Sequence, residues 1–278
     1  MHTKKTKLVK LISTVLMGAF SVIFLVPLIW MMSAAFKFEK DVMSFPIQWI
    51  PQQWNVIGNF KAVWMENVPF YLFYFNSLKL SIMMTLATMV ICSMAAFAFT
   101  KLHFKGRGLI FGLLLSFMII PEQATLVPRF LLMKWLGLYN THTGLVVMGM
   151  FSIYFTFLMR QFMASIHNDF IEAAKIDGAG YFTIFWKIIL PLCKPILATV
   201  GIIKFIWTWN DYQNPLIFLL DKKLYPITLG IQLFRDDYAD NFAVLMMASL
   251  SAIIPLVIVF ILLQKHVIKG ISLGGVKG

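Results

Sequence analysis

Hydrophobic positions along this chain gather into six long blocks, and most of the charge falls in the segments between them. A helix needs roughly 20 apolar residues to cross the hydrocarbon core of a bilayer. The blocks therefore predict six membrane-spanning helices, at about Leu11–Ser33, Tyr71–Phe99, Gly108–Met133, Leu145–Met163, Ile196–Leu220 and Ala243–Gln264. The short stretch Lys101-Leu102-His103-Phe104-Lys105-Gly106-Arg107 parts the second block from the third. The first block follows Lys4, Lys5, Lys7 and Lys10, as the core of a signal peptide would. Its apolar stretch is long for a signal core and Ser33-Ala34-Ala35 is a poor cleavage site, so an uncleaved first helix is expected.

Charge then orients the blocks. With the N-terminus inside, Lys101, Lys105, Arg107, Arg160, Lys175, Lys187, Lys194, Lys265, Lys269 and Lys277 all fall inside. The acids Glu39, Asp41, Glu66, Asp221, Asp236, Asp237 and Asp240 fall outside. Loops rich in Lys and Arg stay on the cytoplasmic side, so both termini are expected there. Two outer segments are long. Lys37–Phe70 holds Pro46, Trp49, Pro51, Trp54 and Trp64, which suit anchoring at the membrane–water interface or docking of an external protein. Asp221–Phe242 carries Tyr225-Pro226, Gly230 and an acidic run that a solvated face also explains.

Composition agrees. Of 278 residues, 60% are hydrophobic and 13% charged, too little charged surface for a soluble domain of this size. The net charge of +12 is spread along the chain rather than gathered into a groove with aromatics, which argues against a nucleic-acid partner. Cys92 and Cys193 lie far apart in the expected topology, so no disulfide is expected. No Cys/His cluster has metal-ligand spacing, His2, His103, His142, His167 and His266 are scattered, and no Gly-rich phosphate loop occurs. Covalent chemistry and ATP hydrolysis by this chain alone are not expected.

Between blocks four and five lies a polar, patterned segment, EAAKIDGAGYFTIFWKIILPLCKP, from Glu172 to Pro195. Asn168 or Asp169 is placed to cap a helix whose first turn holds Glu172. Ala173, Ala174 and Ala179 let another surface approach closely, and Gly178 permits a sharp bend. Phe182, Phe185, Ile188 and Ile189 then recur at helical spacing before Leu190-Pro191, and Pro195 opens the next block. An ordinary amphipathic surface helix is one reading of such a segment.

The spacing E-A-A-x-x-D-G-A, then Phe185, Ile188, Leu190-Pro191 and Pro195, resembles the signature loop of ABC importer permeases. FPIQWIP near Phe45, MIIPEQATLVPRFLLM from Met118, WTWNDYQNPLIFL from Trp207, LYPITLGIQLF and LMMASL extend the resemblance over nearly the whole chain. The likeness is to the sugar-type, maltodextrin-like branch and its second-permease subgroup. It implies an all-α polytopic membrane protein of six transmembrane helices, N-in/C-in, with a cytoplasmic coupling helix between spans four and five. A single permease domain over 1–278 is implied, its core at about 71–264 and its coupling loop at 164–195. The implied partners are a second homologous permease, two copies of a cytoplasmic ABC ATPase and an extracytoplasmic sugar-binding protein, in a bacterial plasma (inner) membrane. ATP and Mg would be bound by the ATPase, with no cofactor in this chain. Glu172, Ala173, Ala174, Asp177, Gly178 and Ala179 would form the ATPase-coupling helix, with Glu172 making a charged contact.

Polar residues inside the spans need a reason, since a charge at the bilayer centre costs roughly 2.5–3.5 kcal/mol. Glu122 follows Pro121, and Arg129 follows Pro128 seven residues on, a separation expected to be too large for a direct pair. The prolines read either as structural kinks or as a wall of the translocation path. Block five carries Lys204, Trp207, Trp209, Asn210, Asp211, Tyr212, Gln213 and Asn214, which suit sugar hydroxyls and ring faces or an interfacial belt. Glu122, Trp209, Asn210 and Asp211 are the candidates for the path. A permease for a polyol or glycerol phosphate is the alternative within the class. An ion-coupled secondary transporter would need paired intramembrane acids and an inverted repeat, and only Glu122 and Asp211 lie within the blocks.

Overall fold

The computed structural model describes residues 2–65, 69–238 and 240–274, and among these every regular element is helical. Glu66 and Lys277, two of the charges used for orientation, lie outside the described residues, as do the side chains of Lys4, Lys5, Lys7, Asp237, Lys265 and Lys269. Three helices are unbroken and apolar enough to cross a membrane: Val9–Ala35, Phe70–Lys101 and Phe242–Leu262. Three further apolar stretches are bent pairs, and counting each pair as one span brings the total to six.

Each bend has a local cause. Arg107–Ile119 and Glu122–Trp135 meet at 100°. Between them Ile120 is extended, with ψ at 120°, because the ring of Pro121 disfavours helical backbone in the residue before it. His142–Gly149 and Ile153–Ala164 meet at 45° around an extended Ser152, whose hydroxyl accepts from the Phe155 N–H at 3.4 Å and so starts the second helix. Tyr181–Leu192 and Lys194–Trp209 meet at 79° at Cys193, with Pro195 in the first turn of the second helix. A π turn over Phe185–Ile189 lies just ahead of Pro191. Proline lacks an N–H and its ring crowds the carbonyl four residues back, so widening the turn there relieves the clash.

The contacts divide the chain into two units. One comprises Met1–Phe70 with Ile231–Ile254. Here Glu39 accepts from the Ala243 N–H at 2.7 Å and Asn241 from the Val244 N–H at 3.1 Å, together capping the start of Phe242–Gly274. Asn59 donates to the carbonyls of Ala35 and Lys37, both at 2.8 Å, and the buried Lys37 ammonium donates to the Gln48 carbonyl. The apolar window of the first helix has no buried share.

The other unit comprises Tyr71–Gly230 with Pro255–Gly278. Its larger core joins Cys92, Phe97, Phe155, Met159, Ile184, Phe185, Ile189 and Cys193, and both cysteines are free thiols. Asn76 donates to the carbonyls of Lys223 at 2.8 Å and Tyr225 at 3.0 Å, while Ser77 accepts from the Ile227 N–H at 2.7 Å. The Asn140 amide oxygen accepts from the N–H groups of Leu220 at 2.7 Å and Asp221 at 2.9 Å. These bonds fix the chain on either side of Lys222–Leu224 and so aim block five.

Candidate functional site

A cavity of about 380 Å³ opens where two of the bends meet block five. Glu122 and Arg129 come from the sharpest bend, Gly149 and Ser152 from the second, and Lys204, Trp207, Thr208, Asp211 and Asn214 from block five. Charges facing hydrocarbon would cost about 3 kcal/mol each. Two acids and two bases sharing one polar recess escape most of that penalty. Lys204, Trp207, Thr208 and Asp211 follow the i, i+3, i+4, i+7 pattern, so one face of Lys194–Trp209 and the turn after it carries them all.

Glu122 and Arg129 are bonded at 2.9 Å, contrary to the expectation that seven residues hold them apart. Helical side chains lean toward the helix N-terminus, so the long Arg129 side chain reaches back over two turns to Glu122. Asn214 donates to Glu122 at 3.4 Å and to Asp211 at 3.0 Å, tying the two acids to one amide. The Asp211 carboxylate also accepts from the Asn214 backbone N–H at 3.1 Å. Arg129 Nε and Thr208 Oγ1 are buried with no hydrogen-bond partner among the described residues. Buried polar atoms are nearly always paired, so these two are positioned for a ligand or water. Trp207 is 52% exposed and rests against Tyr154 and Phe155, with ring centres 5.5 and 5.1 Å away. About half of the Trp207 side chain stays open.

Of the four path candidates, the structure brings Glu122 and Asp211 into this cavity. Trp209 and Asn210 are not among its lining residues. Trp209 is buried, stacked on Phe205 at 5.9 Å and edge-on to Tyr74 at 5.6 Å. Asn210 turns its amide back to the Ile206 carbonyl at 2.9 Å, closing the last turn of its own helix.

The segment from Glu172 to Ala179 forms a second feature. Helix Asp169–Ile176 ends at Gly178, with φ at +82°. The Ala179 N–H donates to the Ala174 carbonyl at 2.9 Å and the Gly178 N–H to Lys175 at 3.0 Å, the paired bonds of a Schellman cap. Ile171 and Ala174 face inward to the large core, while Glu172, Ala173, Ile176 and Asp177 are exposed. The expected side-chain cap at Asn168 is absent. Its amide oxygen instead accepts from the Lys101 ammonium at 2.9 Å, and Lys101 donates also to the Ile166 carbonyl. The buried ammonium at the end of Phe70–Lys101 thereby outcompetes the helix for this oxygen.

Residues 88–273 match the family described as the binding-protein-dependent transport system inner membrane component. The probable ABC transporter permease protein YurM of Bacillus subtilis is 34% identical, over 91% of this chain and 83% of that one. The melibiose/raffinose/stachyose import permease protein MelC of the same organism is 32% identical, over 100% of both. A crystal structure of a bacterial ABC transporter involved in the import of the acidic polysaccharide alginate contains a chain with the same fold. Its TM-score is 0.83 at 24% identity, covering 94% of this chain and 97% of that chain. With the family model matched through the bends, the cavity and the Gly178 turn, this protein belongs to the binding-protein-dependent transport system inner membrane components, as a multi-pass permease.

Proposed function

We propose that this chain forms one half of the membrane channel of an ATP-driven importer for a carbohydrate, paired with a second, homologous permease. The observation that carries the reading is the cavity around Glu122, Trp207 and Asp211. It offers a half-open indole for a sugar ring, carboxylates and an amide for hydroxyls, and two unpartnered buried polar atoms. Two acids balance two bases, which favours a neutral saccharide over glycerol phosphate. Relatives named for melibiose, raffinose and stachyose, and for arabinooligosaccharides at 28% identity, support that class.

In this account both termini are cytoplasmic and a single permease domain spans the chain. Asp169–Ile176 is the coupling helix. Its exposed Glu172, Ala173 and Ile176, with Asp177, Gly178 and Ala179, seat in a cytoplasmic ATPase, two copies of which serve the two permeases. The ATPase supplies the ATP and Mg chemistry, and an external sugar-binding protein delivers the substrate. Closure of the ATPases moves the rigid, capped turn and shifts the channel toward its outward-open state. The test is uptake of labelled oligosaccharides by a host lacking this gene. Complementation by the intact gene is expected to restore uptake of one saccharide, and Glu172→Ala to abolish it with membrane levels unchanged. Normal uptake by Glu172→Ala would sink the coupling assignment.

A further inference from the structure

Beside the turn at Gly178 lies a second recess, of about 220 Å³, lined by Lys101, His103, Arg107, Asn168, Glu172 and Lys175. Three cations, Lys101, Arg107 and Lys175, face one carboxylate there, an excess of two positive charges from these four groups. Among the described residues the one ion pair is Glu122–Arg129, so none of these charges is paired. Part of each cation is spent on the protein itself, and the Lys175 ammonium lies 4.9 Å from the centre of the Tyr181 ring. Lys101 donates to Ile166 and Asn168, and Arg107 Nη1 donates to the carbonyls of Leu102 at 2.9 Å and Thr100 at 3.3 Å. An ammonium has three donors and a guanidinium five, so both keep N–H groups to spare. An adjoining hollow is lined by His103, Phe104, Lys105 and Arg107, which carries the basic surface onward. Crowded, unpaired cations in a walled recess repel one another and draw an anion.

Immediately past the basic loop the surface turns apolar. Phe104 is 41% exposed, Leu109 71% and Leu113 55%, the latter two one turn apart on the same helix face. Basic donors at the end of a membrane span with bare hydrocarbon one turn deeper match the two halves of a phospholipid. Basic pockets between spans on the cytoplasmic side are where acidic headgroups are held. We infer that this recess binds the phosphate of an anionic phospholipid headgroup, its acyl chain lying along Phe104, Leu109 and Leu113. The inference rests on the cytoplasmic placement of the loop in the account above. Because Glu172 and Lys175 form one wall, the headgroup neutralises the recess beneath the helix proposed to meet the ATPase. Coupling is then sensitive to membrane charge.

Retention of lipid by the importer purified whole from its host in mild detergent tests this, by native mass spectrometry with phosphatidylglycerol or phosphatidylcholine added. Lys105→Gln with Lys175→Gln removes one exposed cation from the adjoining hollow and one from the recess itself. Lys222→Gln with Lys223→Gln removes two exposed cations elsewhere. The intact protein is expected to retain phosphatidylglycerol in preference to phosphatidylcholine. The first pair should weaken that retention by about fivefold per charge, and the second should leave it unchanged. Equal retention by both variant proteins, or no preference between lipids, overturns the site. If inorganic phosphate displaces phosphatidylglycerol and protects the protein against heating without lipid, the ligand is free phosphate and the lipid assignment fails. Loss of carbohydrate uptake would be a failure of the importer reading instead, which this assay does not measure.

Discussion

Trp207 and Trp209 stand two positions apart in the same helix and have opposite surroundings. Trp209 is 2% exposed and packed between Phe205 and Tyr74, whereas Trp207 is half open and lines the cavity. Trp209→Ala should destabilise the purified protein by about 3–5 kcal/mol, the usual loss for a truncated core aromatic. Trp207→Ala should leave thermal stability nearly unchanged while sharply raising the saccharide concentration needed for half-maximal uptake. Equal effects on stability would show that both are core residues. The Glu122–Arg129 pair makes a similar division. Its carboxylate side chain is 57% exposed, so Arg129→Gln should cost no more than about 1 kcal/mol of stability while impairing uptake. Of the four path candidates the sequence offered, Glu122 and Asp211 line the cavity together with Trp207 and Asn214, and Trp209 and Asn210 lie outside it. The helical face that begins at Lys204 was legible in the spacing. That Asn210 would be taken up closing its own helix was not, because such a bond depends on where the helix stops.

At the scale of elements, the breakers told most of the story. Pro121, Pro191, Pro195 and Gly178 are visible in the sequence, and a bend or cap lies at each. The size of the bends was not visible, since proline fixes its own φ but not the packing that sets the angle. Pro191 is visible too, but that the clash is relieved by a π turn and not by a kink is set by the packing around it. Pro121→Ala should let Ile120 return to helix and relax the 100° bend. Spin labels at Leu113 and Leu131, both exposed, should then move apart; an unchanged distance would mean that packing alone holds the bend. Gly178→Val places a β-branched residue at φ +82°, where side chains cost roughly 1–2 kcal/mol. Uptake is expected to fall with the protein still inserted, because the Schellman cap, and not the membrane helices, would be lost. Gly230 is held differently: a Cβ there would lie 2.2 Å from the Phe73 ring, so Gly230→Ala should lower thermal stability rather than coupling.

At the scale of the whole molecule, the account depends on which side each loop faces. Cys92 and Cys193 are buried, so a single introduced cysteine can be labelled without background. Lys222→Cys should react with an impermeant maleimide on intact cells, and Lys175→Cys only after the membrane is opened. The apolar window of the first helix is exposed among the described residues, which suits lipid or the second permease, while its end at Ala34 and Ala35 is buried. The most direct test of the central claim is to capture the tagged chain from its host in mild detergent and identify what remains bound. The account predicts a second permease together with a nucleotide-binding subunit, with the latter lost on Glu172→Ala or Gly178→Val. Recovery of the chain alone, or only with copies of itself, would contradict it and point to a transporter that works without an ATPase.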